Sequence, residues 1–154
     1  MQSPTDCIFC AIVSGRAAAA IVYRDEHLTA FLDLFPVVPG HLLIVPNRHA
    51  KGLTELDADA ASRMVAVAQR LAAAVRRSQT PCEGINLFMA EGPVAGQTVF
   101  HCHLHLLPRH GDDGFHVGGS FLNRLNPGRD QLDALAASLR SALSTLEATA
   151  EHTE

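Results

Sequence analysis

The stretch His101-Cys102-His103-Leu104-His105-Leu106-Leu107 alternates imidazoles with small or apolar side chains and ends on two leucines. A strict period of two is the mark of an extended chain with one face turned to a core. It predicts a strand over about residues 99–107, with His101, His103 and His105 on one face and Cys102, Leu104 and Leu106 on the other. Neighbouring imidazoles on such a strand stand about 6.6 Å apart. That is too far for a direct hydrogen bond but close enough for the three to surround one phosphate.

Outward from this strand, the pattern stays short and strand-like. Residues 85–89 form another apolar run, and Glu91-Gly92-Pro93-Val94-Ala95-Gly96 punctuates the chain between the two. Residues 21–24 and 28–32 flank the polar Asp25-Glu26-His27 and read as an antiparallel hairpin, and residues 41–45 form a further strand closed by Pro46. Only residues 57–77 interrupt this series with helical spacing: Met64, Val67, Ala68, Leu71 and Val75 recur on one face, acids lie near the start, and Arg76 and Arg77 near the end. Leu132, Leu135, Leu139, Leu143 and Leu146 mark a second amphipathic helix after a loop at residues 111–119. Strands with short connections and one long helix lack the regular alternation of a parallel sheet. The expectation is one α+β domain over residues 1–154, a five-stranded antiparallel sheet with a long central helix and a C-terminal helix.

Composition narrows the function. The chain has 154 residues, 47% of them hydrophobic, enough for a core built from Leu, Val, Ile and Ala because tryptophan is absent. A net charge of -4 without a basic run argues against a nucleic-acid surface. No stretch reaches the ~20 apolar residues of a membrane helix, and no secretory pattern opens the chain, so a cytoplasmic location is expected. Uneven cysteines at positions 7, 10, 82 and 102 suit a reducing compartment. Cys82 and Cys102 read as small buried groups, and His27, His110, His116 and His152 as solvated side chains.

Alternating histidines on a strand suit either a zinc ion or an anion. The glycine-bearing loop before them favours an anion, because backbone amides around Gly92 and Gly96, with Gln97 and Thr98, can donate to phosphate oxygens. Neutral imidazole attacks phosphorus well, and the cationic adduct is a good leaving group, so a hard hydrolysis divides into two easier steps. His103, the central histidine, is the natural nucleophile. Separately, Cys7 and Cys10 have the two-residue spacing of half a zinc site.

The order His-apolar-His-apolar-His-apolar-apolar resembles the signature of the histidine triad (HIT) family of nucleotide hydrolases and transferases. Cys7-Ile8-Phe9-Cys10, Ala30-Phe31-Leu32-Asp33, Pro39-Gly40-His41 and Ala95-Gly96-Gln97-Thr98-Val99 extend the likeness from about Cys7 to about Arg109. The resemblance implies His103 as nucleophile and His105 on the phosphate or leaving group. It implies His41, Gln97 and Thr98 on the phosphates, Asp33 on the ribose, and Phe9, Ile12, Phe31 and Leu34 around the nucleoside. It further implies a structural zinc held by Cys7, Cys10, His49 and His101, and a homodimer joined through its sheets. Ala90 departs from the pattern of the family, whose members usually carry an asparagine or glutamine that touches the substrate there. The implied activity is hydrolysis at the α-phosphate of adenosine-type purine nucleotides, either phosphoramidates or dinucleoside polyphosphates. Transfer to phosphate or a sugar phosphate, or a regulatory nucleotide-binding module with negligible turnover, are the alternatives.

Overall fold

The computed structural model describes residues 6–116 and 125–151. Its order is α1 (Ile8–Val13), β1 (Ile21–Arg24), β2 (Leu28–Leu32), β3 (Leu42–Pro46), α2 (Ala58–Arg77), β4 (Gly84–Met89), β5 (Leu104–Arg109) and α3 (Arg129–Glu151). Among the described residues no helix is long and apolar enough to cross a membrane. The strands form one antiparallel sheet in the order β1-β2-β3-β5-β4, as the α+β reading expected.

Asp57 caps α2, its side chain accepting from the Ala60 amide at 2.7 Å, and Asp59 and Arg76/Arg77 complement the helix dipole at the two ends. The face bearing Met64, Val67, Ala68, Leu71 and Val75 is buried, together with Leu132, Ala136, Leu139 and Leu143 of α3, against Leu28, Ala30, Leu42, Ile44, Leu104 and Leu106 of the sheet. The opposite face carries a smaller cluster of Cys7, Phe9, Ile12, Phe31, Leu43 and Val45. With both faces covered, every residue of β2 and β3 is buried. This explains why their sequences run apolar without alternation.

The triad strand differs from its expectation at both ends. Residues 99–103 lie outside β5, and the Cys102 amide donates to the Ala50 carbonyl at 2.6 Å instead of to a neighbouring strand. The chain leaves the ladder there because His101 is drawn to the cysteines of the N-terminal segment. At its far end β5 continues through Pro108, which pairs with Ile85 of β4 beyond the last residue paired to β3, where a missing N–H is tolerated. Helix α1, absent from the sequence reading, is too short to show a period. Part of the loop expected over residues 111–119 lies outside the described residues, as does His152.

One turn is set by backbone chemistry. Gly40 has φ +78°, and a Cβ there would stand 2.9 Å from Thr80 Cγ2 and 3.1 Å from Pro108 Cγ. Glycine meets both demands, the left-handed conformation and the close approach. The turn delivers His41 beside the triad.

Candidate active site and metal centre

Two histidines of the triad turn to the same point and one turns away. The rings of His103 and His105 lie 4.7 Å apart between centroids, and the His103 ring meets Phe9 edge-on at 5.3 Å. The expectation that all three imidazoles surround one phosphate is overturned for His101. Its Nε2–H donates to the Pro46 carbonyl at 2.8 Å, and its Nδ1 faces the Sγ atoms of Cys7 and Cys10 at 3.4 and 3.5 Å.

His103 is buried, and its Nδ1–H donates to the His101 carbonyl at 2.7 Å. A carbonyl only accepts, so the proton of the neutral ring sits on Nδ1 and Nε2 keeps its lone pair. Burial lowers the His103 pKa, an effect opposed by that hydrogen bond and by the charge of Asp33, and so favours the neutral ring. At His41, the Val37 amide points to Nδ1 at 3.3 Å, so Nε2–H donates to His105 Nδ1 at 2.8 Å. By the same accounting, a neutral His105 carries its proton on Nε2. Asp33 Oδ2 lies 3.5 Å from His41 Nδ1, and its Oδ1 accepts from the Phe35 amide at 3.0 Å.

The turn before His41 is braced from the far end of β5. Arg109 donates to Asp113 through Nε and Nη2 at 2.6 and 3.0 Å, to Asn86 Oδ1 at 2.6 Å, and to the Phe115 carbonyl. Phe115 packs against a cluster of Val37, Val38 and Leu107, beneath the amide that orients His41.

Phe9, Ile12, Phe31, Asp33 and Leu34, far apart in sequence, line one cavity of about 140 Å³. Ile8, Ala18, Ala19, Leu32, Leu43 and Arg129 complete it. Sequence reasoning missed Arg129 because it lies on α3, outside the stretch carrying the motifs.

The loop at residues 91–97 is organised more tightly than an open anion cradle. The amides of Ala95 and Gln97 donate to the Gly92 carbonyl, that of Gly96 to Pro93, and that of Gly92 to Gln97 Oε1. Gln97 Nε2 donates to the carbonyls of Lys51 and Val99 at 2.6 and 3.1 Å. These donors are engaged within the protein, so the open backbone cradle expected at Gly92 and Gly96 is not formed there. A phosphate contact from Gln97 requires exchanging one of its bonds. Glu91 adds a clamp, accepting from the Thr54 hydroxyl at 2.5 Å and amide at 3.2 Å. Thr98 is exposed on the loop, and Ala90 is buried after β4.

Cys7, Cys10, His49 and His101 bring one ligand atom each to within 4.8 Å of one another. Tetrahedral zinc with bonds of ~2.3 Å to sulfur and ~2.0 Å to nitrogen sets sulfur and nitrogen roughly 3.5 Å apart. The observed contacts are 3.4 and 3.5 Å at His101 and 3.2 Å between Cys10 and His49 Nδ1. His49 Nε2 is buried with no hydrogen-bond partner among the described residues. Burial, with Cys7 beside it, pushes the Cys10 thiol up to about 11, and burial pushes His101 down to about 4. A neutral imidazole and two crowded sulfurs are a donor set whose charge conflict a divalent cation removes. The residues therefore fit a closed structural zinc site, and His101 joins it to the nucleophile, its ring on the metal side and its carbonyl on His103.

The HIT domain model matches residues 14–112. An uncharacterized HIT-like protein of Mycobacterium tuberculosis is 38% identical over 145 residues, 94% of this chain and 98% of that protein. The Bacillus subtilis protein named Protein hit is 40% identical over 116 residues, 75% of this chain and 79% of that one. Among solved structures, a Zn-bound histidine triad family protein from Mycobacterium smegmatis superposes with a TM-score of 0.83 at 39% identity, covering 96% of this chain and 99% of that one. A histidine triad nucleotide-binding protein from Candida albicans gives 0.66 at 29%, covering 91% and 99%. With a family model spanning most of its length and relatives matched nearly end to end, this chain belongs to the HIT domain family.

Proposed function

We propose that the protein hydrolyses nucleotides at the α-phosphate through a nucleotidyl-His103 intermediate, with adenosine-type phosphoramidates or dinucleoside polyphosphates as substrates. The observation that carries this reading is the hydrogen bond from His103 Nδ1–H to the His101 carbonyl, which leaves Nε2 as the lone-pair nitrogen beside His105. In the first step His103 Nε2 bonds to phosphorus as the bond to the leaving group breaks. His105 supplies a proton to the departing atom through Nε2 while His41 holds its other nitrogen. In the second step water attacks phosphorus and gives its proton to His105 Nε2, restoring the ring that protonated the leaving group, as the P–N bond breaks and His103 Nε2 recovers its lone pair. The apolar cavity takes the nucleoside and Asp33, at its edge, takes the ribose hydroxyls. Thr98, and Gln97 through the loop that it braces, serve the phosphates.

Cys7, Cys10, His49 and His101 hold a zinc ion whose contribution when bound is a crosslink between the N-terminal segment and the triad strand. The assembly is a homodimer joined through β4, an edge strand on which Leu87 is exposed. The setting is cytoplasmic.

Rapid-quench mass spectrometry during turnover of an adenosine phosphoramidate, and in parallel of a dinucleoside polyphosphate, tests the proposal. An adenylyl group mapped to His103, lost in His103→Ala together with turnover, is expected. Undiminished turnover by His103→Ala removes His103 as nucleophile, and failure on both substrates removes the hydrolase reading.

A further inference from the structure

Among the described residues, the cavity assigned to the nucleoside has two polar side chains in its lining, and they come from distant parts of the chain. Asp33 belongs to the catalytic end, 3.5 Å from His41, which in turn bonds His105. Arg129, the first residue of α3, approaches Ala18, where its Nη2 donates to the Ala18 carbonyl at 3.5 Å. Phe9, Ile12, Phe31 and Leu43 line the same cavity. A cavity of about 140 Å³ is well below the ~300–1,000 Å³ of pockets that enclose a whole drug-sized ligand. It suits one part of a nucleotide, and its apolar walls suit the flat base.

Resting on the α-phosphate chemistry proposed above but departing from its adenosine assignment, we infer that Arg129 selects the base, favouring a purine whose edge offers two adjacent acceptors, as guanine does with O6 and N7, over adenine. A guanidinium presents parallel donors that fit two acceptors at once. On adenine, the exocyclic amino group replaces one acceptor with a donor, so the fork keeps a single bond. Among the described residues no other lining side chain can make this distinction, since the walls are apolar and Asp33 is a carboxylate beside the catalytic histidines. Arg129 is exposed, so the expected preference is at the low end for a bidentate contact, roughly fivefold to tenfold. The selecting residue thus comes from the C-terminal helix, while the triad and zinc ligands come from the region that resembles the family.

The test compares the wild type, Arg129→Ala and Arg129→Lys by equilibrium binding of GMP and AMP, and by kcat/KM on guanosine and adenosine phosphoramidates. The wild type is expected to favour the guanine nucleotide roughly fivefold to tenfold in both measurements. Arg129→Ala should bring the ratio to about one, and Arg129→Lys, without the fork, to an intermediate value. Equal affinities in the wild type, or an unchanged ratio in Arg129→Ala, overturn the inference. An equal loss for both bases would mean that the guanidinium merely stacks, and overturns it too. Binding separates this outcome from failure of the hydrolase reading: nucleotides that bind with the expected ratio but are not turned over sink the chemistry and leave the base selection standing. Failure to bind either nucleotide sinks both.

Discussion

Removing the metal should undock α1 while leaving the sheet intact. The helix has six residues, far below the ~12–15 at which an isolated helix becomes even marginal in water. Its anchors are Phe9 and Ile12, both 7% exposed, together worth roughly 3–6 kcal/mol of apolar burial. Fixing six backbones costs ~6–12 kcal/mol. The difference of a few kcal/mol is small beside the ~10–16 kcal/mol that structural zinc contributes in zinc-finger peptides. The assay is amide hydrogen exchange on the purified protein before and after chelation, with Cys10→Ser as a second way to break the site. The informative amides are Ala11, bonded to the Cys7 carbonyl, and Ser14, bonded to that of Cys10. Their protection should fall by at least ~100-fold, the equivalent of about 2.7 kcal/mol, whereas β2 and β3 amides should stay protected. Turnover should fall with α1, because Phe9 rests against His103. Unchanged protection at Ala11 and Ser14 after verified metal loss would refute the reasoning, and so would collapse of β2 and β3 at the same metal concentration.

Three other perturbations bear on separate parts of the molecule. Leu71→Ala empties a fully buried position facing the sheet and α3, and should cost ~2–5 kcal/mol in urea unfolding with activity retained well below the midpoint. His41→Ala removes the donor to His105 Nδ1 and should lower kcat by roughly 100-fold while leaving the melting temperature within a few degrees, measured on the same preparation. Asp113 is held well below the usual carboxylate range, chiefly by its hydrogen bond to Arg109. A depressed folded-state pKa gives stability that is complete above the unfolded value of ~3.9 and is lost as pH falls toward the folded value. Asp113→Asn should therefore flatten the acid limb of the stability curve below about pH 4, measured by denaturant unfolding from pH 2 to 7.

Much of this architecture could be read from local signals. Met64, Val67, Leu71 and Val75 announced α2 because a long amphipathic helix repeats its period five times over, and Asp57 announced where it begins. Period two sorted Cys102, Leu104 and Leu106 into the core correctly even though residues 101–103 lie outside the ladder. What periodicity cannot carry is the direction in which a side chain is pulled by distant partners. His101 obeys the alternation yet serves the cysteines, because the N-terminal segment passes over that end of the sheet. The assignment of four metal ligands rested on family resemblance, and the geometry of those four side chains fits it. Helix α1 was illegible because six residues make fewer than two turns. Gln97 was legible as a polar residue beside a glycine loop, but one of its three side-chain bonds goes to the Lys51 carbonyl, far away in sequence, while the others reach Gly92 and Val99. Arg129 left no signal, since a single arginine opening a surface helix looks like any other.

That the acceptor for His103 is a main-chain carbonyl has a consequence for redesign. A backbone oxygen is present whatever side chain occupies position 101, so the choice of tautomer at the nucleophile is inherited from chain path rather than from residue identity. The four ligands could be exchanged together for an apolar set, or for a covalent bridge between the segments, and the reactive nitrogen would remain available provided that the carbonyl did not move. Single exchanges offer no such freedom, since each leaves the other three crowded around an incomplete centre. A metal-independent version of this fold is therefore reachable by a concerted replacement and poorly reachable one substitution at a time.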